Sequence, residues 1–321
     1  MAVNTLDSIE VIPTGAALGA EIKGIDWSQK LSDEVLARFE EIWAEHLVLL
    51  MRNQELEREQ VMGVADTLGG RYVPGSRQIY LDAGMKPGSH RVSDIKGLGK
   101  ISNLDADGNP QKLTEGSGSL AIAWHTDNSY MEEPPRASML NAVHVPVNGG
   151  GHTMFSNQYM AYDDLSDELK EKIEGKHVLN DISRNTSGRA RMGLELPKTR
   201  EEVKGPIHPM VRIHPVTKKR ALYLGRRWDR PSSYIVEMRN DEGDDLLDLL
   251  WAHATQEKYV WVHDTWTPTD LVIWDNQCTL HRRNEVDPNQ KRYLHRACVT
   301  GGPVISAFDI PKPTEAIAAA E

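Results

Sequence analysis

The sequence predicts a mainly β protein with peripheral helices, built as a barrel or a double sheet. Short runs rich in β-branched and aromatic residues, bounded by Pro, Gly, Asp and Asn, crowd the chain after residue 205, with a further group between 95 and 155. Helical patterns are few and do not alternate with the strands, as they would around a parallel sheet. With no repeat and no low-complexity segment, the 321 residues fit a single domain, 1–321.

Helices are predicted where apolar residues recur at a spacing of three and four. The first of these segments begins with acidic residues, which favour a helix N-terminus, and the second ends at the pair Gly69-Gly70, which favours a helix stop. The four predicted helices are 32–46, 56–68, about 159–173 and about 244–256.

Strands are predicted from short apolar or alternating runs between turn residues. The clearest are "LVLLM" at 47–51, "MVRIH" at 210–214, "RALYLG" at 220–225, "YVWVH" at 259–263, "LVIWD" at 271–275 and "LHRACV" at 294–299. The segment 71–123 is instead rich in Gly, Ser, Lys and Asp, which predicts an elaborated loop region. Because loops on a rigid scaffold often select ligands, we expect 71–123 to contribute to a substrate site.

Charge and composition favour a small molecule as the partner. The chain carries 47 acidic against 37 basic residues, a net charge of −10, and no basic cluster that would suit nucleic acid or an anionic membrane. Neither a signal-peptide pattern nor a long apolar run is visible, so a soluble cytoplasmic protein is expected. The two cysteines, Cys278 and Cys298, are then expected to be reduced core residues.

A His-x-Asp pair stands in "IAWHTDNSY" at 122–130. Twelve histidines in a chain of this length give about one such pair by chance, so the pair needs partners before it has a meaning. On a strand, His125 and Asp127 would point to one face, and imidazole with carboxylate suits Fe(II), Mn(II) or Zn(II). The third ligand must come from elsewhere; His281, after "LVIWDNQCTL", and His263, in "YVWVHDTW", are the candidates.

Two arginines follow His281 in a strand-like run. Arg292 and Arg296 are four residues apart and therefore face the same side of a strand. If that side is the interior, each guanidinium needs an anion, and its planar fork binds a carboxylate with two parallel hydrogen bonds. A half-exposed strand with two solvated arginines explains the spacing equally well.

Taken together, these residues resemble the taurine-dioxygenase-like (TauD/TfdA) family of Fe(II)- and 2-oxoglutarate-dependent dioxygenases. The similarity runs from about Val11 to Thr300. It rests on an ordered set of motifs: "GAALGAEIKGID", "WHTDNSY", "PVNGGGHTMFSN", "HPMVRIHPVTKKRALYLG", "DLVIWDNQCTLHRRN" and "RYLHRA".

The resemblance implies a double-stranded β-helix, a jelly roll of the cupin type. It implies that His125, Asp127 and His281 bind Fe(II), and that Thr153 and Arg292 hold the distal carboxylate of the cosubstrate 2-oxoglutarate. It also implies an O2-dependent hydroxylation that releases succinate and CO2, with bond cleavage where the hydroxylated carbon bears a suitable leaving group. Relatives are often homo-oligomers, dimers or tetramers, and the same is expected here.

The substrate is expected to be a small anion such as a carboxylate, sulfonate or phenoxy acid. Arg296 is the first candidate to bind it, because a buried charge needs a counter-charge. Weaker candidates are Arg77, Tyr80, Asn103, Arg226, Arg227 and Trp228, for which a solvated surface position is the favoured interpretation.

Two rival functions keep the same metal ligands. One is a Zn(II)- or Mn(II)-dependent hydrolase on the same scaffold, which would use a metal-bound water and would have no need for Arg292. The other is a binding or storage protein with a degenerate site, which the intact ligand set disfavours. Neither a serine-nucleophile motif nor a phosphate-binding loop is present to suggest other chemistry.

Overall fold

A computed structural model describes residues 3–89, 92–105, 107–112, 118–147, 150–185, 187–226 and 228–308. The strands of this part are β1 Glu10–Pro13, β2 Ala20–Lys23, β3 Val48–Met51, β4 Gly99–Ser102, β5 Ile122–His125, β6 Ala137–His144, β7 Thr153–Asn157, β8 His177–Leu179, β9 Ile207–Pro209, β10 Val211–Ile213, β11 Arg220–Leu222, β12 Tyr234–Ile235, β13 Val260–His263, β14 Leu271–Asp275, β15 Thr279–Arg283 and β16 Tyr293–Val299. The α-helices are α1 Asp33–His46, α2 Arg58–Thr67, α3 Gly75–Asp82, α4 Gln158–Asp163, α5 Asp167–Ile173 and α6 Asn240–Ala254, and short 3-10 helices lie at Leu6–Ser8, Arg200–Glu202 and Glu257–Tyr259.

Two sheets form the frame of the molecule. The major sheet has seven strands in the order β1-β2-β3-β14-β6-β16-β4, and all its neighbours are antiparallel except β2 and β3. The minor sheet has four antiparallel strands in the order β13-β7-β15-β5. Two smaller sheets have the strand orders β12-β8-β9 and β10-β11. This arrangement of two main sheets is the predicted double-stranded β-helix, or jelly roll.

Alternation along the strands explains how the sheets pack. In β14, Val272 and Trp274 join Phe155 of the minor sheet in one buried cluster. The intervening Leu271 and Ile273 point the other way and pack with the apolar stripe of α1 and with α2. Because side chains alternate between the faces of a strand, one apolar run can serve both layers. The central strands of the major sheet are therefore covered on both sides.

Most of the predicted elements are found, with three differences. The helix predicted at 159–173 is two helices, because α4 ends at Asp163 and the Ser166 side chain accepts from the Leu169 N–H to begin α5. The last predicted helix begins earlier, at Asn240. The segment 71–123 is not all loop, since it contains α3 and the edge strand β4.

The helices pack on the sheets and are short. The longest of those described, α6, has 15 residues, whereas a bilayer crossing takes about 20 apolar residues. No helix in the described part of the chain could span a membrane.

Candidate active site

Neighbouring strands of the minor sheet bring the two predicted histidine ligands together. His125 is the last residue of β5, and its cross-strand partner is His281 of β15. Their ring centroids are 4.1 Å apart. The sequence predicts that Asp127 continues this strand. In the structure, Asp127 lies instead in the turn after the strand. Asn276 fixes this turn: its side chain accepts from the Asp127 N–H at 2.9 Å and donates to the Asp127 carbonyl at 3.0 Å.

The three side chains present one ligand atom each to a common point. Asp127 Oδ1 lies 3.5 Å from His125 Nε2 and 3.8 Å from His281 Nε2, and all three residues are buried. His125 Nδ1 lies 2.8 Å from the Ala123 carbonyl, which favours the tautomer that leaves Nε2 free to bind a metal. Two imidazoles and one carboxylate on one side of an ion match the ligand set of non-haem Fe(II) oxygenases.

The second carboxylate oxygen of Asp127 is bound from the major sheet. Ser138 Oγ of β6 donates to Asp127 Oδ2 at 2.7 Å. Arg296 Nη2 of β16 lies 2.7 Å from the same atom, an ion pair without the alignment of a good hydrogen bond. Burial opposes ionisation, but the charge of Arg296 outweighs it and holds the pKa of Asp127 well below its usual range. Asp127 is therefore a carboxylate, as a metal ligand must be.

The two histidines are kept neutral. Burial lowers the pKa of His125, and the nearby charge of Arg226 lowers it further. Burial also lowers the pKa of His281 well below its usual range. Neutral imidazole is the form that binds metal, so the environment favours the binding-competent state before any ion arrives.

Beside the three candidate metal ligands lies a buried group of polar atoms without partners among the described residues. Thr153 Oγ1, at the start of β7, and Arg292 Nη1, just before β16, have no hydrogen-bond partner among the described residues, and both residues are about 2% exposed. Burial, together with the neighbouring Arg283, lowers the pKa of Arg292 well below its usual range. A buried cation and a buried hydroxyl left open in this way require an anionic acceptor. The distal carboxylate of 2-oxoglutarate fits them.

One large cavity connects these groups. It has a volume of about 1200 Å³ and is lined by His125, Asp127, His281, Thr153, Arg292 and Arg296 together with Arg77 and Tyr80 of α3. Residues of β4 also line it, so the segment 71–123 does border the cavity. The predicted residues from the metal and arginine motifs and from α3 thus surround one space that is wide enough for two small molecules.

Asn103 does not line this cavity. It is 1% exposed, and its side chain accepts from the Arg292 N–H at 2.8 Å and donates to the Gln290 carbonyl at 2.8 Å. The expectation of a solvated surface position was therefore wrong for Asn103, whose side chain binds the backbone of Arg292. The same expectation was wrong for Arg226, which is 9% exposed and lines the cavity. Trp228 is half-buried beside it, and Arg227 lies outside the described residues.

The competing histidine, His263, lies apart from the three candidate metal ligands. Its ring packs against Trp261 and Trp266 in β13 and the turn after it, and it has no place among the described groups that could hold a metal. A second such group consists of His214, Asp275 and Cys278. There, His214 Nε2 lies 2.9 Å from Asp275 Oδ2 while Nδ1 accepts from the backbone of Val216 and Thr217. Both ring nitrogens are used, so this group is a structural network.

Several residues of the site were not foreseen from the sequence. Arg283 was detectable, since it stands two residues after His281 on the same strand and so faces the same side. Its guanidinium donates to the carbonyls of Gly118 and Leu120. Ser138 and Asn276 had no local signal, because their roles depend on contacts with Asp127 across 11 and 149 residues of chain.

Comparison with known proteins shows which family the chain belongs to. Residues 10–298 match the family described as "Taurine catabolism dioxygenase TauD, TfdA family". Pentalenolactone F synthase from Streptomyces arenae is 30% identical over 97% of this chain and 100% of its own length. The α-ketoglutarate-dependent 2,4-dichlorophenoxyacetate dioxygenase of Cupriavidus pinatubonensis is 30% identical over 93% of this chain and all of its own. Other relatives act, by their names, on sulfonates and sulfate esters.

A solved structure supports the same assignment. The crystal structure of AAD-2 in complex with Mn(II) and N-oxalylglycine is 29% identical, has a TM-score of 0.73, and matches 93% of this chain and 99% of that chain. By their names several relatives are α-ketoglutarate-dependent dioxygenases, a class of enzyme that uses Fe(II), 2-oxoglutarate and O2, so the Zn(II) or Mn(II) hydrolase is not favoured. The chain is an oxidoreductase, a 2-oxoglutarate-dependent dioxygenase that belongs to the TauD/TfdA family.

Proposed function

We propose that the enzyme hydroxylates a small anionic organic molecule, with His125, Asp127 and His281 as the Fe(II) ligands and with Thr153 and Arg292 as the residues that hold 2-oxoglutarate. The observation that carries the proposal is the pair of buried, unpartnered atoms, Thr153 Oγ1 and Arg292 Nη1, that lines the same cavity as the three metal ligands. A metal-dependent hydrolase would have no use for this pair.

The residues have distinct tasks in this reaction. Bound Fe(II) supplies the activation of O2 that is coupled to decarboxylation of 2-oxoglutarate. Asp127 contributes the one negative charge of the ligand set, and Ser138 and Arg296 keep its Oδ2 occupied so that Oδ1 faces the histidines. Arg292 orients the cosubstrate by binding its distal end, away from the metal. The buried walls limit access of water to the reacting groups.

The substrate class is inferred from the cavity and the relatives. Among the described lining residues, eight are Arg or Lys and two are Asp, although the whole chain has a net charge of −10. Such a charge imbalance favours anions and raises their local concentration. Carboxylates, phenoxy acids, sulfonates and sulfate esters are therefore the classes to be screened. Where the hydroxylated carbon bears a leaving group, the hydroxylated product loses that group, and the bond between the carbon and the group is cleaved.

We further propose that one catalytic domain, 1–321, carries the site, with 71–123 contributing α3 and β4 to the substrate side of the cavity. The enzyme is proposed to act in the cytoplasm as a homo-oligomer, a dimer or a tetramer, without nucleic acid or membrane partners. Its two cysteines are free and buried, in keeping with a reducing compartment.

Two measurements test the proposed ligands. Fe(II) and 2-oxoglutarate added without O2 should give a weak visible charge-transfer band, and succinate should form from the screened acids when O2 is admitted. Asp127→Ala should abolish both. Arg292→Met should raise the 2-oxoglutarate concentration for half-maximal band intensity by roughly tenfold or more, because a charged hydrogen-bond donor is lost.

The exposed Arg38, which pairs with Glu41 on α1, offers the control. Arg38→Met removes a guanidinium that does not line the cavity, and it should leave the band and its 2-oxoglutarate dependence unchanged. A normal band in Asp127→Ala, or an unchanged 2-oxoglutarate requirement in Arg292→Met, would contradict the assignment.

A further inference from the structure

The arginines of the cavity can be sorted by what each of them already binds. Arg296 is paired with Asp127, and Arg283 donates to backbone carbonyls. Arg191 donates to the Ile182 and Arg184 carbonyls and stacks on the Tyr130 ring at 4.1 Å. Under the proposed function, Arg292 binds the distal carboxylate of 2-oxoglutarate. These four guanidiniums therefore need no substrate anion.

Arg226 is different from these four. It is 9% exposed and lines the cavity, yet no described residue accepts a hydrogen bond from it or forms an ion pair with it. Its one described contact of note is with the Trp228 ring, 5.9 Å from the guanidinium carbon. The three other basic residues of the lining, Arg77, Arg282 and Lys100, are less buried and can be hydrated, and Arg77 also donates to the Ser93 carbonyl. A buried guanidinium without an acceptor is costly unless a ligand provides one.

The backbone before Arg226 explains how the side chain reaches the cavity. Strand β11 ends at Leu222, and Gly225 then turns the chain with φ +67°. A Cβ on Gly225 would lie 2.5 Å from Asn180 Oδ1, so only glycine fits this close approach. Gly225 therefore determines this turn, and Arg226, the next residue, lines the cavity.

Electrostatics place Arg226 on the metal side of the cavity. Its charge contributes to the lowered pKa of His125, and Asp127 in turn acts on Arg226. Burial, with Arg191 as a second cause, lowers the pKa of Arg226 to about 10. The guanidinium is thus still charged at neutral pH, and the carboxylate that acts on it, Asp127, is already bound by Arg296 and Ser138.

We propose that Arg226 binds the acidic group of the primary substrate, and that Arg226 instead of Arg296 gives the cavity its preference for an anion. The planar fork suits the two oxygens of a carboxylate, a sulfonate or a sulfate ester. Apolar residues of the same cavity, Ile122, Leu140 and Trp274, provide a surface for an organic body beside the acid. This proposal rests on the proposed function, and it names the residue that selects the substrate.

The test compares acids with neutral partners of similar shape. Phenoxyacetate with phenoxyacetamide, hexanesulfonate with hexanesulfonamide, and hexyl sulfate with hexanol are titrated into the anaerobic enzyme that contains Fe(II) and saturating 2-oxoglutarate. Binding is followed by calorimetry and by the change in the visible band. The wild-type enzyme should bind at least one acid roughly tenfold or more tightly than its neutral partner, as expected for a charged hydrogen-bonded pair.

Arg226→Met should bring the acid and its neutral partner to similar affinity, with 2-oxoglutarate binding unchanged. Arg226→Lys keeps the charge without the fork, so its affinity for the acid should lie between the other two. Arg282→Met is the matched control, because it removes a guanidinium from the exposed rim of the same cavity and should keep the preference for the acid.

Each outcome decides the proposal. An acid preference that survives in Arg226→Met overturns it, as does a wild-type enzyme that prefers none of the three acids. If Arg226→Met does not fold, an unchanged affinity for the acid in Arg226→Lys overturns it as well. A wild-type enzyme that gives no visible band with Fe(II) and 2-oxoglutarate would instead refute the proposed function, so the two failures are distinguishable.

Discussion

At the scale of single residues, the two oxygens of Asp127 have different partners. Oδ1 faces the Nε2 atoms of His125 and His281, whereas Oδ2 is bound by Ser138 and Arg296. Residues that hydrogen-bond to the atoms of a ligand side chain that do not bind the metal fix the orientation of that side chain. Their loss typically weakens metal binding by about 10–100-fold. The orientation of Asp127 is thus set by the major sheet, although its backbone follows a strand of the minor sheet.

Ser138 provides a prediction for this arrangement. Ser138→Ala removes the hydrogen bond to Asp127 Oδ2 and leaves Arg296 as the remaining side-chain partner of that oxygen. We expect Fe(II) affinity to fall by about tenfold. An anaerobic Fe(II) titration, read from the visible band at saturating 2-oxoglutarate, measures this change.

Ser156→Ala is the matched control for that measurement. Ser156 is also fully buried, and its hydroxyl donates to the Ala254 carbonyl, away from Asp127. Ser156 Oγ also accepts from Gln158 Nε2, and Ser138 Oγ also contacts Cys298 Sγ, so each variant loses two buried polar contacts. Each should therefore lose roughly 1–3 kcal/mol of unfolding free energy. Equal Fe(II) affinity in Ser138→Ala and Ser156→Ala would show that Ser138 has a structural role alone.

At the scale of elements, β13 contains a histidine that must stay neutral in the folded protein. His263 is 1% exposed, and burial lowers its pKa to about 3 from an ordinary value of 6.5; Arg52 contributes as a second cause. Between these two pH values the unfolded chain binds a proton at this residue and the folded chain does not. The contribution of His263 is therefore fully present above about pH 6.5 and is lost as the pH falls toward 3.

The predicted pH dependence is measurable by denaturant unfolding. A single such group gives a slope of about 1.4 kcal/mol in unfolding free energy per pH unit. His263→Gln should reduce the slope between pH 6 and pH 4 by about that amount, because glutamine does not titrate. His144→Gln, at an exposed position on β6, serves as the control. The expectation fails if both variants have the same slope as the parent protein.

Elements with strong apolar patterns were predictable, and those whose sequences lack such a pattern were not. Helix α1 and strand β14 have regular apolar spacing because they are packed in the core, so the sequence reports them directly. Strand β1 is at the edge of the major sheet, and three of its four residues are exposed. Its side chains face water, so no alternation marks it. The break between α4 and α5 depends on one cap, Ser166, inside an otherwise helical pattern.

The site was predictable to a similar degree and for similar reasons. The proposed metal ligands and Arg292 stand in motifs, so the resemblance to the family pointed to them from the sequence alone, and the structure brings them to one cavity. The contacts of Asn103 and the burial of Arg226 depend on how distant segments meet, as when Asn103 binds the backbone of Arg292 across 189 residues of chain. No local pattern encodes such a contact. The surface expectation for these two residues was therefore reasonable from the sequence and was still wrong.

At the scale of the whole molecule, the proposed site joins the two main sheets. His125, His281 and Thr153 belong to the minor sheet, whereas Ser138 and Arg296 belong to strands of the major sheet and Arg292 immediately precedes one. A metal and a cosubstrate bound here would connect side chains from both layers. Ligands that bind the folded protein alone stabilise it by mass action, by about 2.7 kcal/mol at a concentration of 100 Kd.

Thermal unfolding should therefore respond to both ligands as one transition. With Mn(II) and the analogue N-oxalylglycine each near 100 Kd, we expect the Tm of the whole chain to rise by about 5 °C per ligand, given about 2 °C per kcal/mol for a large domain. Arg292→Met should keep the Mn(II) increment and lose most of the increment from the analogue. If the ligands shifted one of two separate transitions and left the other in place, the sheets would unfold independently. The site would then not join them, and the effect of Ser138 on Asp127 would need another explanation.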